Sequence, residues 1–596
     1  MSEVSVSNLV MECRNPTIKS RGYSELKRLG RQVRKAISAG QFSSPTLKIT
    51  ILSSFLTDLV VDLLPVFLLR HNVIAEIRKG PYGSIATEIL GRPIDDAHQP
   101  DLSILLPTHR DLGFFPSPGS STTEADAAVT EEVKVWTNLW SRLSRPIVQM
   151  TFDPPPTRAL AEADGFLPGG LLRHVRKVNF ALADAAPARL AFVDSERLAS
   201  QVGAAWHDPR LYQLCKQPFS MSVLPELADR IASAAAGALG RSRKVLALDL
   251  DNTLWGGIVG DVGLEGLVLG PETAEGEAFV AIQNYAKALA SRGVILAVCS
   301  KNQHDNAIEP FRSHAAMILR EDDIACFLAN FEDKATSLRR IAATLNVGLD
   351  SIVFVDDNPV ERAWIARELP EVLVVDLPKD PAEFCQAIEN ANAFPLFRVT
   401  EEDVARNASY RARSQTIAMG QSAGDIDSFL ASLDPVAQVE PVSPASLDRI
   451  VQLVAKTNQF KLNPGLFTSE QIAANNDGVL AIRFKDKLQD YGITAIAVTD
   501  LEGEELVVRN WVMSCRVFSR RLEYATLELL RRKANKRGAS SISLNYQPSS
   551  KNGIVKDVLS DLGFVPQGGG GRFVAPVRAS VPQTKHHIEI VGDWAG

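Results

Sequence analysis

Two aspartates leave a single apolar run together. In "LALDLDNTLWGG" (246–257), Asp249 and Asp251 stand two apart where a buried strand ends. Open α/β sheets bind ligands at the carboxyl ends of their strands. Two carboxylates emerging there need a cation or a polar partner to offset their desolvation. A hard divalent ion with oxygen ligands meets that need, and Mg2+ suits a site that also takes phosphate. The pattern recurs downstream. "VDDNP" (355–359) ends a second apolar run in Asp356 and Asp357, "VCSKN" (298–302) ends a third in Cys299 and Ser300 followed by Lys301 and Asn302, and "EDKATSL" (332–338) sets Lys334 at a helix start. Any one of these alone reads first as a helix cap or a surface turn. The ordered set of acids, hydroxyl and lysine points instead to magnesium-dependent phosphoryl transfer onto an aspartate, because a carboxylate approaches an anionic phosphoryl group only when cations cancel the repulsion.

The elements that must position these residues form an α/β block over 241–396. "KVLALDL" (244–250), "VILAVCS" (294–300), "SIVFVDD" (351–357) and "EVLVVDL" (371–377) read as strands, apolar throughout as in a parallel sheet covered on both faces. Helices over 277–293 and near 335–345 separate them. An earlier block, 46–240, has the same rhythm, with strands expected at 47–54, 101–107, 146–152 and 188–194. It follows an N-terminal extension, 1–45. The third block, 397–580, differs. Helices near 401–418 and 444–456 precede "GVLAIRFKDKLQDYGITAIAVTD" and "EELVVRNWVM", which read as neighbouring antiparallel strands, then a helix at 520–536, the strand "SISLNY" (541–546) and a helix near 552–561. The tail, 581–596, reads as loosely ordered.

The middle block resembles a haloacid-dehalogenase (HAD) superfamily domain, with its four motifs in family order. The resemblance implies Asp249 as the nucleophile on phosphorus, Asp251 as general acid–base, Ser300 and Lys334 as partners of the phosphoryl group, and Mg2+ held by Asp249, Asp356, Asp357 and the Asp251 carbonyl. It adds Asn252, Thr253, Lys301 and Asn302 as substrate-binding candidates. "DNTLWGGIVGD" (251–261), "CSKN" (299–302), "VFVDDNPVERAWI" (353–365), "AKTNQFKLN" (455–463) and "NWVMSCRV" (510–517) resemble the FkbH-like branch, subfamily IIIC. That likeness implies a phosphorylated three-carbon acid, 1,3-bisphosphoglycerate, as substrate. It also implies acylation of Cys299 and transfer of the glyceryl group to the phosphopantetheine thiol of an acyl carrier protein; chemically, Lys301 and the metal site would lower the pKa of that thiol. Cys515 is the competing thiol. A stand-alone phosphatase and a non-catalytic carrier-docking scaffold stay open as alternatives.

The third block looks like a GNAT-type acyltransferase domain. Its "CRVFSRRLE" (515–523) lacks the glycines that bring backbone N–H groups to a pyrophosphate, which implies a degenerate acyl- or carrier-binding role. The first block resembles an SGNH-hydrolase-like, flavodoxin-like domain. "PTHRD" (107–111) has no Gly-x-Asn and no late Asp-x-x-His follows, so catalysis is not expected there. The fold class expected is thus α/β, a HAD-type Rossmannoid sheet flanked by an SGNH/flavodoxin-like α/β domain and a GNAT-like α+β domain.

Net charge is −6, with 45% hydrophobic and 22% charged residues, an ordinary soluble balance that gives no field to attract nucleic acid or an anionic membrane. The basic run Lys27–Lys35 reads as a solvated helix face. Six cysteines without paired spacing suit a reduced, cytoplasmic chain rather than a disulfide or zinc framework. The most apolar stretch, 48–69, contains Asp58, Asp62 and Pro65 and reads as a buried strand and helix, since two carboxylates at a bilayer centre would each cost about 3 kcal/mol.

Overall fold

The computed structural model describes residues 6–397 save 43, 45 and 92–99, then 403, 406, 410, 411, and 430–594 save 458, 459, 466, 488, 515, 516, 518, 519, 550, 551, 569, 570, 578–585 and 593. The chain is α/β with parallel sheets, and divides into two compact units: Met1–Ser242 with Asn392–Arg398, and Arg243–Ala391 with Val399–Gly596.

The first unit opens with two helices, α1 (Val6–Cys13) and α2 (Tyr23–Ser38). These are not appended to the core but part of it: Leu9, Cys13, Leu26, Leu29 and Val33 pack in one cluster with Ile49 and Ile51 of the first strand. The basic run lies on α2, where Lys27 (2.7 Å) and Arg34 (3.3 Å) pair with Asp62 of the next helix. That pairing neutralises one of the acids interrupting the apolar stretch. The following elements are β1 (Leu47–Ser53), α3 (Asp58–Arg70), β2 (Ala75–Tyr82), α4 (Ile85–Leu90), β3 (Leu102–Leu106), α5 (Thr122–Ser141), β4 (Ile147–Met150), α6 (Leu171–Ala185), β5 (Leu190–Val193), α7 (Ser195–Val202), α8 (Pro209–Cys215) and α9 (Leu224–Ala238). The five strands pair in parallel in the order β2-β1-β3-β4-β5. Strand β2, "AEIRKGPY", escaped the sequence reading. It is an edge strand, largely exposed and polar, and so lacks the apolar signature of its neighbours.

The second unit begins with another parallel sheet. Its elements are β6 (Val245–Leu248), α10 (Val259–Val262), α11 (Ala274–Ser291), β7 (Ile295–Ser300), α12 (His304–Ser313), β8 (Cys326–Ala329), α13 (Lys334–Leu345), β9 (Ile352–Val355), α14 (Pro359–Glu368), β10 (Leu373–Val374) and α15 (Phe384–Asn390). The order is β10-β9-β6-β7-β8. Edge strand β8 was also unexpected, being too short to give a period.

The third sheet contains β11 (Val436–Glu440), β12 (Phe460–Lys461), β13 (Val479–Lys485), β14 (Asp490–Glu502), β15 (Glu505–Met513), β16 (Ser541–Asn545), β17 (Val565–Pro566), β18 (Arg572–Pro576) and β19 (Glu589–Val591), with α16 (Pro444–Lys456), α17 (Ser469–Ala474), α18 (Leu522–Lys536) and α19 (Gly553–Asp561). Strands β13, β14 and β15 are antiparallel neighbours, while β15 and β16 run parallel. The tail is not loose where it is described: β19 pairs with β11, and Trp594 is buried beneath the sheet's apolar cluster. The buried Ile588 side chain and Trp594 indole remove enough surface from water to dock a short terminus.

The boundary expected at 396/397 does not divide the chain there. Residues 392–398 go with the first unit, where the Ser233 hydroxyl donates to the Asn392 carbonyl at 2.6 Å. Beyond them, Arg406 donates to the Gly293 carbonyl (3.0 Å) and Tyr410 is buried in the core of the second sheet. Most of the helix expected near 401–418 lies outside the described residues.

Gly30 of α2 faces α3 so closely that a Cβ would collide with the Asp62 carbonyl oxygen. Helix propensity alone favours Gly30→Ala by about 1 kcal/mol. A backbone atom cannot swing aside as a side chain can, so the clash wins. Urea unfolding should show Gly30→Ala destabilised by about 1–3 kcal/mol; a gain in stability would show that the helices separate freely.

Candidate active site

Strand β9 lies beside β6 with Leu248 opposite Val355, so the residues that follow, Asp249 and Asp356, emerge side by side. The Asp249 amide continues the ladder to the Val355 carbonyl at 2.9 Å. Lys334 arrives from the first turn of α13, whose preceding residue Asp333 caps the helix by accepting from the Thr336 amide. Its Nζ lies 3.0 Å from Asp249 Oδ2 and 2.5 Å from Asp356 Oδ2. All three side chains are buried, Asp356 completely. Asp249, Asp356 and Asp357 each bring a carboxylate oxygen within 4.8 Å of the others.

One ammonium therefore faces three carboxylates, and the site keeps an excess of negative charge. Burial and the neighbouring Asp249 charge push Asp356 up to about 6, and the same two causes raise Asp357. Lys334 is pulled the other way: burial would lower it, but Asp249 and Asp356 overcome that and raise it, so it stays charged. Asp249 Oδ1 is buried with no hydrogen-bond partner among the described residues. An orphaned carboxylate oxygen beside two further carboxylates fits a hard divalent cation of the Mg2+ type.

Asp251 stands apart from that cluster and is held by three donors. Its Oδ1 accepts from Trp255 Nε1 (2.9 Å) and the Val259 amide (3.0 Å), and its Oδ2 accepts from Asn302 Nδ2 (2.9 Å). Burial raises its pKa despite these bonds, the direction a proton donor needs. Thr253 bridges the two acidic segments, accepting from the Asp357 amide at 3.2 Å with its hydroxyl 3.4 Å from Asp357 Oδ1. Ser300 closes β7, next to β6, and is buried at the strand end.

Several expected site residues do other work. Asn252 is exposed and in the left-handed region (φ 54°), where asparagine is among the tolerated residues, and its Oδ1 accepts from the Gly257 amide at 3.0 Å. It shapes the turn. Asn302 orients Asp251. Lys301 is paired with Glu361 at 2.6 Å and 42% exposed, and so is not the neighbour that would activate a thiol.

Cys299 is the clearest correction. It is fully buried in the apolar cluster with Ala247, Ala335 and Phe354, its Sγ 3.8 Å from the Lys334 carbonyl. Burial pushes its thiol well above the usual range. A nucleophilic cysteine needs thiolate character and access, and this position supplies neither. The competing thiol, Cys515, lies outside the described residues.

Two contributors were missed. Arg362 of α14 donates from one Nη1 to the carbonyls of Asp356 (2.9 Å) and Asp357 (2.7 Å), tying down the backbone that carries both acids. Trp255 is fully buried with its indole N–H aimed at Asp251. "VDDNPVERAW" and "DNTLWGG" contain both residues, but only the fold gives them these partners.

No family model and no curated protein matches the chain. Among solved structures, the chain is similar to the N-terminal part of a Bacteroides fragilis protein, BF1531, containing a phosphatase domain complexed with Mg. Identity is 28%, covering 63% of this chain and all of that one, with a TM-score of 0.56. It also matches the ribosomal-protein-S18-alanine N-acetyltransferase of Escherichia coli at 17% identity, over 24% of this chain and 96% of that one, with a TM-score of 0.19.

Proposed function

We propose that the second unit is a Mg2+-dependent phosphatase in which Asp249 attacks phosphorus. The observation that carries this reading is the meeting of buried Asp249, Asp356 and Lys334 with half-buried Asp357, Asp249 Oδ1 having no hydrogen-bond partner among the described residues. The phosphatase domain complexed with Mg, to which the chain is similar, supports it.

Asp249, Asp356 and Asp357 would hold the ion, which when bound withdraws charge from the phosphoryl oxygens. Lys334 neutralises the remaining anionic charge and fixes the Asp249 carboxylate for in-line attack. Asp249 forms a bond to phosphorus as the ester oxygen departs, and Asp251 gives that oxygen its proton. Asp251, now ionised, takes a proton from water, which attacks the aspartyl phosphate and frees inorganic phosphate. The three donors on Asp251 keep its carboxyl aimed through both halves.

For substrate, the FkbH-like motifs support a phosphorylated three-carbon acid derived from 1,3-bisphosphoglycerate, with the glyceryl group passing to an acyl carrier protein. Because Cys299 is sealed in the core, we assign the attack on the acyl phosphate to the carrier's phosphopantetheine thiol itself, which expels inorganic phosphate.

Asp249→Asn should lower phosphate release from p-nitrophenyl phosphate at least about 10³-fold while leaving the melting temperature near that of the parent; retained turnover would remove Asp249 from the chemistry. Mg2+ should raise the melting temperature at pH 7.5. Protons compete for Asp356 as pH falls through about 6, so the shift should shrink toward pH 5; a shift of equal size at both pH values would place the ion elsewhere. After incubation with 1,3-bisphosphoglycerate, peptide mass spectrometry should find Cys299 unmodified, and a hydroxylamine-labile glyceryl group on it would reverse the assignment.

A further inference from the structure

In the second sheet β6 lies between β9 and β7, so Asp249 emerges with the end of β9 on one side and the end of β7 on the other. Lys301, the residue after Ser300, reaches across that gap. Its Nζ meets Glu361 Oε1 at 2.6 Å, joining the end of β7 to α14, the helix that follows β9. The ion pair therefore spans the end of β6. Both its anchors adjoin the site. Asn302, next after Lys301, holds Asp251, and Arg362, next after Glu361, holds the carbonyls of Asp356 and Asp357. A substrate whose phosphoryl group lies over Asp249 extends the rest of itself past this pair.

Charge around the mouth is lopsided. Residues 249–259, 299–303, 330–335 and 355–362 supply every candidate side chain of the site, and carry three cations, Lys301, Lys334 and Arg362, against seven acids. Each cation is already engaged. Lys334 lies between Asp249 and Asp356. Arg362 donates to the two backbone carbonyls and to that of Leu377, with Asp376 at 3.7 Å. Lys301 has Glu361. Two large side chains that these segments expose are apolar: Phe331, three residues before Lys334, is 77% exposed, and Val360, three after Asp357, is 73% exposed.

A monophosphate carrying a second anion, such as a free carboxylate, meets an excess of acids here and no cation on these segments without a partner. To gain Lys301 it must displace Glu361. Separating an exposed pair costs little, but the displaced carboxylate stays beside the newcomer and repels it, which cancels what the new contact brings.

We propose that Glu361 is a specificity-determining residue: by occupying Lys301 it selects phosphate esters whose far end is uncharged over phosphorylated free acids. This rests on the phosphatase reading above and adds the charge class that the site accepts. Selection works by exclusion. The uncharged substrate needs no cation at the mouth and finds apolar surface at Phe331 and Val360, while the charged one lacks a counter-ion. A phosphoglyceryl thioester meets the requirement and 3-phosphoglycerate does not.

The test compares 3-phosphoglycerate with its methyl ester, which keeps the phosphoryl and hydroxyl groups and removes only the carboxylate charge. Phosphate release by the full-length protein with Mg2+ gives kcat/KM for each. The parent should favour the ester at least about 10-fold. Glu361→Gln releases Lys301 and should cut that ratio about 10-fold, chiefly through a lower KM for the free acid. Lys301→Met leaves Glu361 unpaired and should raise the ratio. Damage to the fold would move both ratios alike, so opposite shifts isolate the charge; should Glu361→Gln not fold, Lys301→Met carries the test. Equal efficiency on both compounds in the parent, or a ratio that neither variant moves, overturns the proposal and leaves the phosphatase standing. Release from p-nitrophenyl phosphate but from neither glycerate compound also overturns it. Release from none of the three above the Asp249→Asn background removes the phosphatase reading itself, and this inference with it.

Discussion

A single lysine set among three converging carboxylates governs the second unit. Lys334 touches two of them, Asp249 and Asp356, while Asp357 completes the group. Charge of one sign gathered in a buried place is unstable unless the surroundings hold it there. The surroundings do so through backbone. The pairing of β9 with β6 fixes Asp249 beside Asp356, the Asn358 amide donates to Asp356 Oδ1 at 2.8 Å, and Arg362 clamps the carbonyls of both downstream acids. A lysine on the first turn of a helix is also where its charge opposes the helix dipole. Its place there is explained by the acids it meets and not by the helix it begins.

Much of this could be read from residue order. Acids at the ends of apolar runs announce strand ends, and the covered parallel sheet makes those runs continuous enough to see. Edges are harder: β2 exposes charged residues along most of its length, and β8 is too short to show a period. Pairwise contacts between distant segments are harder still. Nothing in "DNTLW" says that the indole turns back on Asp251, and nothing in the β3 loop says that His109 meets an acid 44 residues later. Motif templates also mislead at single positions. Cys299 and Ser300 are consecutive, yet one is embedded among apolar side chains and the other ends the strand, a difference set by packing that spacing does not encode.

Both parallel sheets concentrate polar side chains in the same structural position, for one reason. Their inner strands are largely apolar and covered on both faces, so charged residues first become tolerable where the strand gives way to a loop. At that point backbone amides are still close-packed and can be bonded by carboxylates, as Asp153 and Glu132 do in the first unit and Asp251 in the second. The bonds cut both ways. They make the loop rigid, and they leave each carboxylate aimed at one place. A rigid loop bearing aimed acids is what a reacting group requires, so the constraint that stabilises a strand end also prepares it for chemistry.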